Sequence, residues 1–374
     1  MRRVILVMTI LLTVCLSVCC MEIPCHAENA EDELRASLAP DAMGIPDDIA
    51  DLLESEGITA EDPESVLTLS PEHFLSGIWQ TVKTELTAPL RLLTGLLSLT
   101  LLTALFTGTG DAVSARMKRL PELICTLVCA GIAVRPAADA LARTAQTLAD
   151  GRMLMAGFVP VFTGFLAAGG SPAGAASYHV LMLFLTEAVM QLTVTVLMPL
   201  LQMAAAVGIV DAVNPSLKLG GLGAGLKKGV TWSLGTLMAL FSALLSIRSF
   251  VASAADSMLS KTVRMLSSGL IPIVGSAVSD AYGTVQGSIH LLRNGAGAVG
   301  ILALLWLTLP PLISVGLYRL LFVVCRICAD MLEAKSLSAL FKNTEQVLAA
   351  AFAMLVCFAV MLIFSTALML LLMK

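Results

Sequence analysis

One acidic residue, Glu187, stands out because it lies well inside an apolar run at residues 180–210. A carboxylate at membrane depth is energetically costly, so an ionisable residue in such a position is by default a candidate functional site. Gln191 follows one helical turn later and Gln202 three turns after that, so the three side chains could line a polar seam between helices. The alternative is that Glu187 lies near an interface or is satisfied by a neighbouring helix.

A second candidate site is a segment that occurs twice. Residues 152–161 and residues 264–273 share Arg, Gly and Pro in one register, at an offset of 112 positions (152 to 264). In membrane proteins, Gly/Pro-interrupted segments at matching positions of two repeats indicate a functional centre between them. Coincidence in a composition rich in Leu, Gly and Pro is the alternative. The paired positions are Gly157 and Pro160 in the first copy and Gly269 and Pro272 in the second.

The other motifs do not indicate enzyme chemistry. Cys325 and Cys328 have the spacing of a redox or metal pair, but no second pair has suitable spacing, so we interpret them as packing residues. The four histidines are scattered and predict no metal site. Residues 220–229 are Gly-rich but lack the Gly-Lys-Ser/Thr ending of a phosphate loop, so we predict a flexible cytoplasmic loop. We expect no enzyme activity, no catalytic residues and no cofactor.

The composition indicates a membrane protein. Hydrophobic residues make up 57% of the chain and charged residues 13%, and the mean hydropathy is +0.89. A soluble chain has about 25% charged residues. The net charge of −4 averages two unlike parts, because residues 28–73 hold 14 acidic residues and one basic residue, Arg35. An acidic segment does not indicate nucleic-acid binding, which needs clustered Lys and Arg.

The first 27 residues have the features of a secretory signal peptide. Arg2 and Arg3 precede an apolar stretch at residues 4–18, and small residues stand at the −3 and −1 positions before Glu28. An uncleaved anchor helix and a lipidated cysteine are the alternatives. In each case we expect residues 28–86 to be exported as an acidic helical segment. A short amphipathic helix after Pro46 is predicted to pack on the membrane part or on a partner.

The remaining chain predicts an all-α, polytopic integral membrane protein with an internal duplication. We divide it into a membrane region at 87–229, with repeat 1 at about 121–229, a second repeat at 230–346 and a C-terminal transmembrane helix at 347–374. If the two Gly/Pro-broken segments are re-entrant and the long apolar runs cross once, six spans follow the signal. If the broken segments cross the membrane fully, or the long apolar runs cross it twice, there are eight or more spans.

Several local features are predicted within these regions. Residues 137–149 are predicted to form an interfacial helix outside the membrane. The run at 180–210 is longer than one span, and Pro199 is predicted to kink or break it. Residues 110–120 and 211–229 carry Lys and Arg, and the positive-inside tendency predicts that they face the cytoplasm.

The most specific sequence pattern is the run at residues 271–285, which reads Ile-Pro-Ile-Val-Gly-Ser-Ala-Val-Ser-Asp-Ala-Tyr-Gly-Thr-Val. Together with Gly-Phe-Val-Pro at 157–160 and the Gly-rich residues 291–300, it resembles the stage III sporulation protein AE family of endospore-forming bacteria. The resemblance covers nearly the whole chain after the signal and carries over no catalytic residues. Gly275 and Asp280, within this run, complete the candidate functional positions.

The resemblance implies a role during engulfment, in the mother-cell membrane that surrounds the forespore. It implies as partners the other stage III A operon proteins, including a separate ATPase, and the forespore protein Q complex. We therefore expect the membrane component of a secretion-like channel that is needed for late forespore gene expression and endospore formation. Two alternatives stay open: an autonomous secondary transporter with a midplane site between the repeats, and a structural membrane scaffold for ring-forming partners.

Overall fold

The computed structural model describes residues 40, 43–55, 58, 71–108, 115–168, 172–270 and 275–371, and over these residues it contains helices and no strand. The prediction of an all-α fold is confirmed. The elements in chain order are α1 (Asp47–Ser55), α2 (Pro71–Gly108), α3 (Ala115–Ala168), α4 (Pro172–Leu192), a π-helical turn (Thr193–Leu197), α5 (Met198–Val213), a 3-10 turn (Pro215–Leu217), α6 (Gly220–Leu270), α7 (Gly275–Met331) and α8 (Lys335–Leu371).

Five helical stretches in the described part of the chain are long and apolar enough to cross a bilayer. They are Ser76–Phe106, Pro121–Phe165, His179–Val213, Gly295–Met331 and Lys335–Ala367. The membrane character predicted from composition is confirmed. The total of six to eight spans stays a prediction, because the stretch at residues 230–247 lies on α6, whose side chains are only partly described.

Helix α3 is continuous over 54 residues although it contains Pro121, Pro136 and Pro160. The predicted break at Gly157 and Pro160 does not occur, since both residues lie inside this helix, and residues 137–149 are part of it rather than a separate interfacial helix. A proline removes one backbone hydrogen bond, but membrane helices tolerate this where nearby groups satisfy the backbone. The Thr163 hydroxyl donates to the Pro160 carbonyl oxygen at 2.7 Å, so the helix next to this proline also carries a side-chain hydrogen bond to its backbone.

The long run at residues 180–210 also forms one helical path. Helix α4 passes through the π turn into α5, and Leu192 and Met198 on either side keep right-handed helical angles. The carbonyl that Pro199 leaves without a partner is that of Thr195, which lies inside the π turn. A π turn is a usual way to absorb such a defect, so the proline changes the helix locally without ending it.

The Gly-rich residues 220–229 form the first turns of α6 and not the flexible loop that we predicted. The carboxylate of Asp211 accepts a hydrogen bond from the backbone N–H of Gly220 at 2.9 Å. An acidic group at this position satisfies one free donor of the first turn and interacts favourably with the helix dipole. This cap explains why a segment so rich in glycine starts a helix.

Two contacts show which helix ends lie together. The Ser336 hydroxyl, at the start of α8, donates to the Glu122 carboxylate of α3 at 2.7 Å. Lys227 of α6 donates to Asn343 of α8 at 2.9 Å. The starts of α3, α6 and α8 therefore share one end of the bundle, which we call the basic end; that it faces the cytoplasm stays a prediction of the positive-inside tendency. Its basic residues are Arg116, Lys118, Arg119, Lys218, Lys227, Lys228, Lys335 and Lys342.

The far half of the bundle carries the N-terminal segment, residues 43–58. Gly44, with φ +68°, approaches α3 so closely that a Cβ on Gly157 would lie 2.6 Å from the Gly44 backbone nitrogen. The predicted amphipathic helix after Pro46 is confirmed, and it packs on the membrane part. The segment buries Met43, Ile45, Ile49, Leu53 and Ile58 and exposes Asp47, Asp51 and Glu54.

The second copy of the repeated segment is placed differently from the first. Gly269 lies in the last turn of α6, which ends at Leu270, and Gly275 and Asp280 lie in the first turns of α7. Pro272 and the surroundings of the Asp280 side chain lie outside the described residues. The first copy is thus interior to a helix, whereas the second contains the end of α6, and α7 starts two residues after it. The duplication stays a prediction.

The substitution Gly157→Ala is expected to loosen residues 43–58, although alanine is the better helix former. The added methyl group would lie 2.6 Å from the Gly44 nitrogen. Such overpacking costs about 1–3 kcal/mol, whereas alanine gains at most about 1 kcal/mol of helix propensity. Limited proteolysis of the purified protein should therefore cleave the segment several-fold faster than in the wild type.

The matched control for this experiment is Gly131→Ala on the same helix, where nothing lies within 4 Å of the added Cβ. We expect its cleavage rate to equal that of the wild type. Equal rates for Gly157→Ala and the wild type would contradict the close packing assigned to Gly157.

Candidate functional site

Glu187 is not an isolated acid. On α4 its carboxylate lies 2.7 Å from the Nε of Arg152 on α3. The two helices form an antiparallel hairpin, and nearer its turn the Thr163 hydroxyl lies 3.3 Å from Nδ1 of His179. The sequence left open a functional acid, a position near an interface or satisfaction by a neighbouring helix. The ion pair gives Glu187 a partner on the neighbouring helix, and its functional role stays a prediction. Arg152 is also the first residue of the repeated segment, so the ion pair joins two features that the sequence suggested separately.

The ion pair belongs to an exposed, partly apolar surface. Arg152 and Glu187 are 51% and 50% exposed, and Met153, Val180 and Phe184 are 69%, 68% and 67% exposed. Val180, Phe184 and Glu187 are spaced i, i+4, i+7 and so share one side of α4. We call these five residues the hairpin face. Arg, Met and aromatic residues are enriched where proteins contact one another, so the composition is typical of a partner-binding surface.

A second ion pair marks where the lipid-facing part of the hairpin of α2 and α3 ends. Arg143 of α3 lies 3.4 Å from Glu85 of α2. From Arg119 to Arg143 the helix rises about 36 Å, which is close to the hydrocarbon core of about 30 Å. Between these limits most exposed side chains are apolar, and we call them the apolar belt; the exposed charges Arg91, Arg135 and Asp139 lie toward its Arg143–Glu85 end. The belt consists of Leu90, Leu101, Leu102, Leu105, Phe106, Leu123, Ile124, Leu127, Val128, Ile132 and Val134.

The hairpin face lies beyond the Arg143–Glu85 pair, on the side of the bundle that carries residues 43–58. Arg152 is about 14 Å further along α3 than Arg143. Along α4, the π turn and α5, the helical path from Glu187 to Val213 is about 39 Å long. Val213 ends α5 near the basic end. A bilayer placed over the apolar belt therefore has the ion pair at or outside its outer edge, and not at its centre.

The predicted polar seam through Glu187, Gln191 and Gln202 does not form. Gln191 and Gln202 are both exposed, and Gln202 also lines a cavity between α3, α5 and α8. The π turn between the two residues adds one residue to the helical path and rotates everything after it by about 100°. Simple α-helical spacing could not anticipate this rotation.

Two glycines in the candidate segments allow close approach of other groups. Gly157 faces the backbone of residues 43 and 44. The neighbouring Phe158 is buried against Gly300, where a Cβ would lie 2.1 Å from the phenyl ring. The structure thus assigns packing contacts to this part of the repeated segment. Pro160 lies one turn further, and the surroundings of Gly269, Gly275 and Asp280 lie outside what the structure describes.

A partly buried polar cluster near the basic end was missed by the sequence analysis: Asn343 is buried, Lys227 is half-buried and Gln346 is exposed. Lys227 donates hydrogen bonds to Oδ1 of Asn343 at 2.9 Å and to Oε1 of Gln346 at 2.7 Å. The Asn343 amide also donates to the Ala205 carbonyl oxygen at 3.2 Å. Burial, and secondly the like charge of Lys342, lower the pKa of Lys227. Asn343, a polar residue in an apolar helix, was the one signal that could have pointed to this cluster.

The cysteines lie in the apolar core. Cys129 of α3 and Cys325 of α7 are free, fully buried and part of one cluster of core residues. In the residues that the structure describes, no three His, Cys, Asp or Glu side chains are grouped to hold a metal ion. The environment of these thiols agrees with the packing interpretation.

Comparison with known proteins identifies the family. The family model for stage III sporulation protein AE matches residues 61–372, and no solved structure matches. A curated relative, the stage III sporulation protein AE of Bacillus subtilis (strain 168), is 25% identical over 310 residues, covering 78% of this chain and 75% of the relative. The matched region includes both ion pairs and the Lys227 cluster. The chain therefore belongs to the stage III sporulation protein AE family of sporulation membrane proteins.

Proposed function

We propose that this chain is the membrane component of a channel-like complex between mother cell and forespore, required during engulfment for late forespore gene expression. The observation that carries the proposal, beyond family membership, is the excess length of the helices. α3 is 54 residues long, about 80 Å, whereas a hydrocarbon core of about 30 Å needs only about 20 residues. The excess lies beyond the Arg143–Glu85 pair, on the side of the N-terminal segment.

The excess length of the helices suits a protein whose binding partners lie on the outer side of the membrane. If the basic end faces the mother-cell cytoplasm, the hairpin of α3 and α4 and residues 43–58 extend into the space between the two membranes. There they could meet the other stage III A proteins and the forespore protein Q complex. The basic end would then face the separate ATPase of the operon on the cytoplasmic side.

The hairpin face is the surface that we assign to these outer partners. Its ion pair is half exposed, so each charged group keeps part of its hydrogen-bonding capacity for a second protein. Its three apolar residues would gain by leaving water. An autonomous transporter with a midplane site is supported less well, because that model needs a polar centre at membrane depth, and Glu187 is neutralised near the outer edge.

In-frame deletion of the gene in its own organism tests the proposal as a whole. After sporulation is induced, engulfment should finish, while a fluorescent reporter of late forespore transcription stays dark and the forespore shrinks. Complementation with the wild-type gene serves as the control. Normal reporter activity and normal spore numbers in the deletion strain would contradict the channel function.

Charge exchange within the hairpin face tests its role in binding. Arg152→Glu and Glu187→Arg each place like charges within contact distance and should lower spore numbers at least tenfold. The double exchange should restore protein level, because an exposed ion pair contributes only about 0–1 kcal/mol to stability. It should not restore spore formation or co-purification of the outer partners, because the partner then meets the reversed charges.

The matched control is the same exchange at Arg143 and Glu85, another described ion pair between helices of a hairpin. We expect that double exchange to sporulate like the wild type. Full function of the Arg152/Glu187 exchange would show that the pair only holds α3 and α4 together.

A further inference from the structure

The cavity that Gln202 lines is a groove in the membrane-facing part of the bundle. Its volume is about 210 Å³, below the about 300–1,000 Å³ of pockets for drug-sized ligands. Alanines of α3 and α5 form much of its wall, and α8 forms its floor with Leu340, Thr344 and Val347. Val134, Ala138, Gln202 and Ala206 are exposed at its mouth, so the groove opens between α3 and α5. All of its lining residues lie on stretches that are long and apolar enough to cross a bilayer.

Asn343 connects this groove to the basic end. It lines the groove, is 7% exposed and accepts the hydrogen bond from Lys227. The amide fits because residue 208 is glycine: a Cβ there would lie 2.0 Å from the Asn343 side chain. The apolar groove thus ends at the Asn343 amide, whose oxygen accepts a hydrogen bond from Lys227.

The positive charge beside the groove is not neutralised within the described part of the chain. Lys227 bonds two neutral amide oxygens, and no described carboxylate lies within ion-pair distance of Lys227 or Lys342. Asp139, one turn before Arg143, shares with it the side of α3 that faces Glu85 on α2. Burial and the charge of Lys342 lower the pKa of Lys227, and a negative group beside the two lysines would counter both effects by stabilising the charged form.

We propose that this groove binds one anionic phospholipid, with an acyl chain against the alanines and the phosphate on Lys227 and Lys342. Basic pockets between membrane helices on the cytoplasmic side are the usual sites for acidic headgroups. A partner helix does not fit the groove, because a helix with its side chains is about 10–12 Å wide. A free phosphate ion would fit the lysines but would leave the apolar groove unused.

Native mass spectrometry of the full-length protein tests this assignment. The protein would be purified in detergent and mixed with equal amounts of phosphatidylglycerol and phosphatidylethanolamine. We expect one phosphatidylglycerol to be retained, several-fold in excess over phosphatidylethanolamine. Lys227→Gln and Ala206→Phe should each lower that retention at least threefold, whereas Lys227→Arg should keep it.

Two neighbouring residues provide matched controls that should bind lipid like the wild type. Lys228→Gln removes an equal charge one residue away, on an exposed side chain. Met203→Phe adds an aromatic ring to an exposed position of α5 outside the groove. Ala206 is itself exposed, so its substitution does not disturb the core, and unchanged elution in size-exclusion chromatography would show that each variant is folded.

Three results would overturn the proposal. The first is equal retention of the two lipids by the wild type. The second is an equal loss for Lys227→Gln and Lys228→Gln, which would indicate unspecific attraction of anionic lipid. The third is displacement of the lipid by millimolar inorganic phosphate, which would indicate a site for the free ion. None of these results depends on the channel function, so the two proposals fail separately.

Discussion

The thickness of the bilayer is the constraint on which the rest of this structure depends. Hydrocarbon of about 30 Å requires about 20 helical residues, yet the five longest helices have 37 to 57. A helix satisfies its backbone groups internally, so it can leave the membrane without breaking. In the orientation that we propose, much of the excess length lies outside the hydrocarbon, on the side of the ion pairs Arg143–Glu85 and Arg152–Glu187.

Close contacts at three glycines hold the helices and the N-terminal segment together. Gly157 admits the backbone of the N-terminal segment, Gly300 admits the ring of Phe158, and Gly208 admits the amide of Asn343. Each contact joins segments far apart in sequence, and each excludes a side chain at the glycine. Glycine therefore positions the N-terminal segment at Gly157 and the Lys227 cluster at Gly208.

Features that depend on composition and periodicity could be predicted from the sequence. Features that depend on contacts between distant segments could not. The all-α membrane fold, the helix after Pro46 and the family followed from local patterns. Gly157 and Pro160 predicted a break, but glycine and proline have the same local signature whether they end a helix or admit a neighbour. The partner of Glu187 was not predictable, because 35 positions separate it from Arg152 (152 to 187) and only the hairpin brings them together.

Thiol labelling of single-cysteine variants tests most directly whether the hairpin projects from the outer side of the membrane. With the native cysteines replaced, Phe184→Cys would report on the hairpin face, Leu127→Cys on the apolar belt and Lys218→Cys on the basic end. In intact cells that produce the protein, a membrane-impermeant maleimide should label position 184 alone, and position 218 should react only after permeabilisation. Labelling of position 218 but not 184 in intact cells would contradict the orientation. Protection of position 184 as complete as that of 127 would place the hairpin within the bilayer.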